Sequence, residues 1–422
     1  MPKIRLIVLA TVEEHRAGCS AQKARTASDQ STIGFEHYKT AIFDEELCSM
    51  DCRLRTFLLE VGFVPPTWIS VTDVAILKKL GMLEIDVMRF IQLMDTDFQS
   101  NNKLVGKKVL ANAEMCDEVA DEQHGSRKNR KTILCCLNKT LVSGYLRLTR
   151  RAGCFGMNDD RGCFNRIVHT VAILVFMSFG VLAMIARTLC GTLQKARHRV
   201  KTGFGISEPV YGDEETPIQS SGQGNGIAFT TWALISSKMF QVMNRAGHGL
   251  LAITAIYLTT LSLVGFALVD DADPVDGSFD VDNPGEETIE GFQSAMDQWC
   301  GVLCATGGVI APAKSKWCLI DFKWTRSDYI YRSLQEMPGE ITLLDRNGIR
   351  IPLERLDVFV AAESLGVQIA MDGNQDKQID IMKKKAQEFA AQISTKKVSR
   401  NDALYTYNSS FMKTSEYPIA AT

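Results

Sequence analysis

The stretch 265-GFALVDDADPV-275 decides the reading of this chain. An apolar run ends on two adjacent aspartates, Asp270 and Asp271, and Asp273 follows. The stretch reads as a strand, a tight turn and a second strand, with the carboxylate pair at the tip. Like charges held that close disfavour one another. A divalent cation removes the conflict, because magnesium prefers hard oxygen ligands and binds through a few carboxylates together with substrate phosphates. Taken alone, an Asp-Asp pair is more often a solvated turn, so the rest of the chain must decide.

Two other pieces join it. The segment 156-GMNDDRGCFNRIVH-169 places Asp159 five residues before Phe164, where small and apolar residues give way to a helix-like run. The segment 221-SGQGNG-226 is a flexible Gly-rich turn that opens the helix-like 230-TTWALISSKMFQVM-243. Nucleotidyl transfer explains why such pieces belong together. Two magnesium ions about 3.5–4 Å apart must be clamped between an attacking 3′-hydroxyl and a leaving pyrophosphate. One carboxylate on one strand and a pair on a neighbouring hairpin supply that clamp. Little covalent chemistry then remains for the protein, so positioning and charge neutralisation dominate.

The bulk numbers set the frame. The 422 residues, 45% hydrophobic and 23% charged, suit two or three folding units with a sizeable core. A net charge of −2 gives no support for nonspecific nucleic-acid binding, so such a partner must be held by local basic stretches. The candidates are 125-GSRKNRKT-132, 145-YLRLTRR-151 and the three lysines at 383–385. The 12 cysteines include no CxxC pair and no Cys/His set at zinc spacing. They are expected to be reduced, partly buried thiols of an intracellular protein, cytoplasmic or nuclear. The apolar run near the N-terminus is about five residues, shorter than the ~7–15 of a signal peptide.

Residues 34–151 read as mostly helical, and 71-VTDVAILKKLGMLEIDVMRFIQLMD-95 has apolar spacings of three and four. Two segments, 167–186 and 249–269, contain no Asp, Glu, Lys or Arg. Each approaches the ~20 residues that cross a bilayer, which makes a two-pass membrane protein the rival reading. The second segment holds Thr259, Thr260 and Ser262 and ends directly in the acid pair, which counts against a span.

In their order, these motifs resemble the reverse transcriptase domain of retroelements, non-LTR-like and of the protist and algal type, over about 34–422. The resemblance implies an α+β, right-hand polymerase fold with a small antiparallel palm sheet packed on helices. For 249–269 it implies a buried helix followed by the strand that enters the turn. It divides the chain into a loose leader (1–32), fingers (33–150), a palm (151–325) and a connection or partial thumb (326–422). It implies an RNA-directed DNA polymerase that uses two Mg²⁺ ions, with Mn²⁺ as a substitute, on an RNA or DNA template-primer and deoxynucleoside triphosphates, with no membrane partner. "NDDRGCFNR" is similar to the first palm motif, which makes Asp159 a metal ligand, Asp160 its one-residue alternative, and Phe164 the gate against a sugar 2′-hydroxyl. "ALVDD" is similar to the aromatic-x-Asp-Asp box, with Asp270 and Asp271 as metal ligands and Leu268 where an aromatic is usual. "SGQGNG" resembles the turn that lies against template and incoming nucleotide, through Gln223 and Gly224. Lys78 or Lys79, with Arg89, take the place of the residues that hold the triphosphate. "DEQHGSRKNRKT" is similar to the Q-x-G-F-R-x-G-R-S-T stretch. Lys314 in "ATGGVIAPAKSKW" is the candidate general acid, and "ESLGVQI" is similar to the primer-grip hairpin, centred on Leu365 and Gly366. Further departures are Phe229 and Thr230 after the Gln-Gly turn, and Asn165 after the gate. A chain that keeps the fold without turnover is the alternative.

Overall fold

A computed structural model describes residues 10–23, 33–78, 81, 84–85, 88–161, 163–213, 215–253, 258–277, 284–345 and 348–421. Along the chain run α1 (Val12–Ser20), α2 (Phe35–Ala41), α3 (Glu45–Val61), β1 (Ser70–Leu77), β2 (Met88–Leu93), α4 (Thr96–Met115), α5 (Thr132–Thr149) and β3 (Gly153–Arg161). Then come α6 (His169–Ser178), α7 (Ala183–Gln194), β4 (Arg197–Thr202), β5 (Gly205–Ile206), α8 (Ala228–Arg245), β6 (Leu250–Ile253), β7 (Thr260–Leu263), β8 (Gly265–Leu268), β9 (Asp271–Asp276) and α9 (Pro284–Ala305). The last part holds β10 (Val309–Ile310), β11 (Lys316–Ile320), the hairpins β12–β13 (Phe322–Trp324, Tyr329–Tyr331) and β14–β15 (Thr342–Leu344, Arg350–Pro352), and β16 (Glu354–Leu356). The hairpin β17–β18 (Ala362–Ser364, Val367–Ile369) and the helix α10 (Asp376–Ser394) follow. The chain is thus α+β. It forms two compact units: one from Met1–Ala120, Gly162–Lys238 and Leu303–Gly308, the other from Asp121–Arg161, Met239–Val302 and Val309–Thr422.

In the first unit a four-stranded sheet runs β2-β1-β4-β5. Its β1–β4 pair is parallel, and the other pairs are antiparallel. The strands β1 and β2 correct the helical reading of 71–95. Val71, Val74 and Leu77 do stand three apart, but β-branched Val71, Thr72, Val74 and Ile76 suit a pleated surface, and the sheet claims them. The ends of the helices in this unit follow local chemistry. Asp44 caps α3 by accepting from the N–H groups of Glu46 and Leu47, and Gly62 ends it at φ 74°. Asp95 caps α4 in the same way. The uncharged segment 167–186 is no single span. Gly180, at φ 89°, breaks it into α6 and the start of α7, and these two helices pack on each other.

The second unit is built on the sheet β16-β11-β3-β9-β8, with β10 also paired to β3. Its pairs are antiparallel except β11–β16, which is parallel. One face buries Leu146, Phe155, Phe266, Val275, Cys318 and Ile320 in a common core. The expected helix in 249–269 is absent among the described residues. Leu250–Ile253 and Thr260–Leu263 instead pair as a hairpin, and β8 follows at once. Thr259, Thr260 and Ser262 fit this better than a span, since Thr favours strands. No helix of the described residues is long and apolar enough to cross a membrane. All twelve cysteines carry free thiols, nine of them buried.

Candidate functional site

The acid pair sits where a two-residue turn joins β8 to β9, with Leu268 paired to Asp271. Val269, the first turn residue, has φ 59°. A β-branched residue in the left-handed region is costly, on the order of 1–3 kcal/mol, and survives only where surrounding contacts over-determine it. Those contacts come from Gln123, which is fully buried. Its Oε1 accepts from the N–H of Val269 at 3.1 Å and of Gly125 at 2.7 Å, and its Nε2 donates to the Val269 carbonyl at 3.3 Å.

Strand β3 supplies the third acid. Asp159 pairs in register with Asp271, so the carboxylates from the two sequence motifs meet across adjacent strands. The pleat separates Asp159 from Asp160. Asp159 is 42% exposed, whereas Asp160 is 5% exposed and shares its side of β3 with Asn158, whose Nδ2 lies 3.9 Å from the Met296 sulfur. Burial, and then the charges of Asp270, Asp159 and Asp271, push Asp160 well above the usual carboxylate range. Of the two neighbours, Asp159 is the one open to ligand.

The segment after β10 wraps the end of β3. Ala311 N–H donates to the Asp159 carbonyl at 2.9 Å, and Asp159 N–H donates to the Ser315 hydroxyl at 3.1 Å. The same turn places Lys314 Nζ 3.2 Å from Asp159 Oδ2. Below the acid pair, one turn of pleat along β9, lies a residue that sequence reading passed over. Buried Asp273 accepts from Lys139 Nζ at 2.7 Å and from the Ser364 hydroxyl at 3.1 Å. Lys139 is 1% exposed and belongs to the buried stripe of α5, with Cys135, Cys136, Ser143 and Leu146. A lysine at the 3.6-residue spacing of an apolar stripe was the available signal. Ser364 ends β17, so the network ties the acid strand to the hairpin whose turn is Leu365 (φ 53°) and Gly366 (φ 82°). Positive φ at both positions is the geometry of a tight hairpin turn.

Asp159, Asp271, Asp273, Lys314 and Ser364 line one cleft of about 530 Å³. Loss of hydration, and then the neighbouring charges of Asp270, Asp273 and Asp159, push Asp271 up to about 6, against a smaller opposing pull from Lys139. Glu354, Glu363, Lys316 and Lys377 line the same cleft, so its wall carries five carboxylates and three lysines, with Asp270 on the adjoining turn and the Lys139 ammonium bonded to Asp273. The donor set is hard oxygen in excess negative charge, which fits magnesium or manganese in kind. Among the described residues, no three such side chains converge closely enough to enclose an ion by themselves. A magnesium site that borrows phosphate oxygens from its substrate does not require them to.

The other sequence-derived candidates lie in the first unit. The 220–226 segment packs against the residue after β3 that the spacing singled out. Ser221 N–H and the hydroxyls of Ser220 and Ser221 all donate to the Phe164 carbonyl. The half-buried Phe164 ring meets Phe229 edge-on at 5.1 Å. The Gln223 carbonyl accepts from Gln92 N–H on β2 at 2.7 Å, and Gly224, at φ 117°, lies so near β2 that a Cβ would come 2.8 Å from the Gln92 carbonyl oxygen. Arg89 lies on the same strand, paired with Ile76, and exposed Lys78 follows β1, which puts both cations at one end of the β1–β2 hairpin. Lys79 lies outside the described residues. No family model matches the chain, and no curated protein matches it.

Proposed function

We propose that this chain is an RNA-directed DNA polymerase of the reverse transcriptase kind, of retroelement type, acting on a template-primer and deoxynucleoside triphosphates. The observation that carries the reading is the cross-strand pairing of Asp159 with Asp271, which sets a strand carboxylate beside a turn made of two more. In this reading the sheet of the second unit is the palm of a right-hand polymerase. Lys78, Arg89, Phe164, Gln223 and Gly224 belong to the nucleotide-handling part, and the β17–β18 hairpin stands where a primer grip belongs.

Asp159, Asp270 and Asp271 would hold the magnesium ions, which supply charge neutralisation between the primer 3′-hydroxyl and the pyrophosphate. Lys314, at hydrogen-bond range of Asp159, is placed to give a proton to the leaving pyrophosphate. Phe164 excludes a ribose 2′-hydroxyl by bulk. The backbone of Gln223 and Gly224, anchored on β2, offers a flat support for the incoming base. Lys78 and Arg89 provide cations for the triphosphate.

Primer extension on an RNA template tests the reading. Asp270→Asn abolishes extension by a chain that otherwise supports it with Mg²⁺, and unchanged extension refutes the assignment. A wild-type chain inactive with both Mg²⁺ and Mn²⁺ keeps the fold without turnover.

A further inference from the structure

The acid turn is gripped from one side by a segment that no strand or helix contains. Residues 122–124 lie alongside β8: Ala267 N–H donates to the Glu122 carbonyl, and His124 N–H donates to the Ala267 carbonyl, each at 2.8 Å. This parallel bridge points the Gln123 side chain at Val269. A primary amide presents an acceptor and a donor in one plane. Here the acceptor takes two N–H groups and the donor takes a carbonyl, so Val269 is bonded at both its backbone polar atoms. No carboxylate can do this, since it lacks the donor. Gly125 completes the grip. A Cβ there would lie 2.4 Å from the Val269 nitrogen, so only glycine lets the two backbones approach this closely.

We propose that Gln123 is a positioning residue for the acid pair: its carboxamide fixes Val269 in the left-handed conformation and thereby sets where Asp270 and Asp271 project. The inference rests on the polymerase reading only for what those carboxylates do. The grip itself is a property of the second unit. An outer partner that orients metal ligands contributes roughly 10–100-fold in metal affinity. That range is expected here, because the turn carries two of the three candidate ligands.

Two variants test it with two readouts. Gln123→Leu removes all three hydrogen bonds. Gln123→Glu is nearly isosteric, keeps the acceptor for both N–H groups, and loses the donor, so it decides the matter if the leucine variant fails to fold. Amide hydrogen exchange reads the grip. Protection of Val269 and Gly125 falls about 5-fold or more in Gln123→Leu, the equivalent of one lost hydrogen bond, and less in Gln123→Glu, while β11 and α9 keep theirs. Titration with Mn²⁺ alone, followed by its electron spin resonance signal, reads the positioning, and affinity falls about 10–100-fold in Gln123→Leu. Unchanged protection at both amides overturns the proposal. So does lost protection with unchanged Mn²⁺ affinity, or a wild-type chain that binds no Mn²⁺. A wild-type chain that binds Mn²⁺ but extends no primer refutes the polymerase reading and leaves the grip to be judged by the other two readouts.

Discussion

Removal of the buried ammonium of Lys139 is the sharpest test of how the acid strand is held. Lys139 is 1% exposed, and its partner carboxylate on Asp273 is 12% exposed. In Lys139→Met the side chain is one atom shorter and stays apolar along the stem. Asp273 keeps the hydrogen bond from Ser364 at 3.1 Å but loses the one cation bonded to it among the described residues. Breaking a buried pair on one side costs about 3–5 kcal/mol, because the remaining charge stays desolvated. At roughly 2–4 °C per kcal/mol for a unit of this size, the melting temperature of the second unit falls about 6–20 °C. Urea unfolding followed by tryptophan fluorescence measures the loss, with buried Trp299 and Trp317 in the second unit alongside buried Trp68 and Trp232 in the first. Adding Asp273→Asn removes the stranded charge, and the double variant recovers about 2 kcal/mol or more relative to Lys139→Met. A loss below about 1 kcal/mol for Lys139→Met, or strict additivity in the cycle, refutes the account of a buried ion pair.

The raised Asp271 carboxyl makes a second prediction. Its native pKa, about 6, lies above its unfolded value, so its share of stability is present at low pH and is lost as pH rises through 6. Asp271→Asn flattens the fall in stability between about pH 4 and pH 6, measured by urea titration against wild type; an unchanged slope counts against the crowding of Asp270, Asp273 and Asp159 around it. Phe164→Val, on the polymerase reading, opens the gate edge that Phe229 leaves exposed, and ribonucleotide incorporation relative to deoxynucleotide rises by about 10-fold or more, the scale of one lost packing contact. A constant ratio in single-nucleotide extension assays removes Phe164 from that role.

The parts of the site that were legible in the sequence are those carried by local geometry. An apolar run closing on two acids before an alternating stretch can hardly avoid being a hairpin, and the model has β8, a two-residue turn and β9. The hairpin at Leu365-Gly366 was expected from the family resemblance alone, and its turn takes the positive φ that glycine supplies. The segment 71–95 was misread because β1 buries consecutive residues, Val71, Thr72 and Asp73, on both faces, so it shows no alternation to set against the helical spacing, and only its β-branched residues separated the two. Lys139 and Asp273 stand 134 residues apart, and Gln123 and Val269 stand 146 apart. No local rule pairs them, because the partner is chosen by the fold. Asp159 over Asp160 was a matter of which face of β3 meets the cleft, and a one-residue slip inverts every side chain of a strand.

The division of the chain into two interleaved units bears on how it must be made. A chain emerging from a ribosome usually folds its N-terminal domain first. Here the first unit includes Leu303–Gly308, where Thr306 accepts from Val168 N–H at 2.9 Å, and it stays unfinished until that turn has been synthesised. The second unit waits longer, for β11 to pair with β3. Some three hundred residues therefore leave the exit tunnel before either unit can close; β9 can cover one edge of β3 by then, while the edge that takes β11 stays open. Such a chain favours slow, late and nearly simultaneous completion, and its unpaired strand edges are the places where a holding chaperone or early self-association would act.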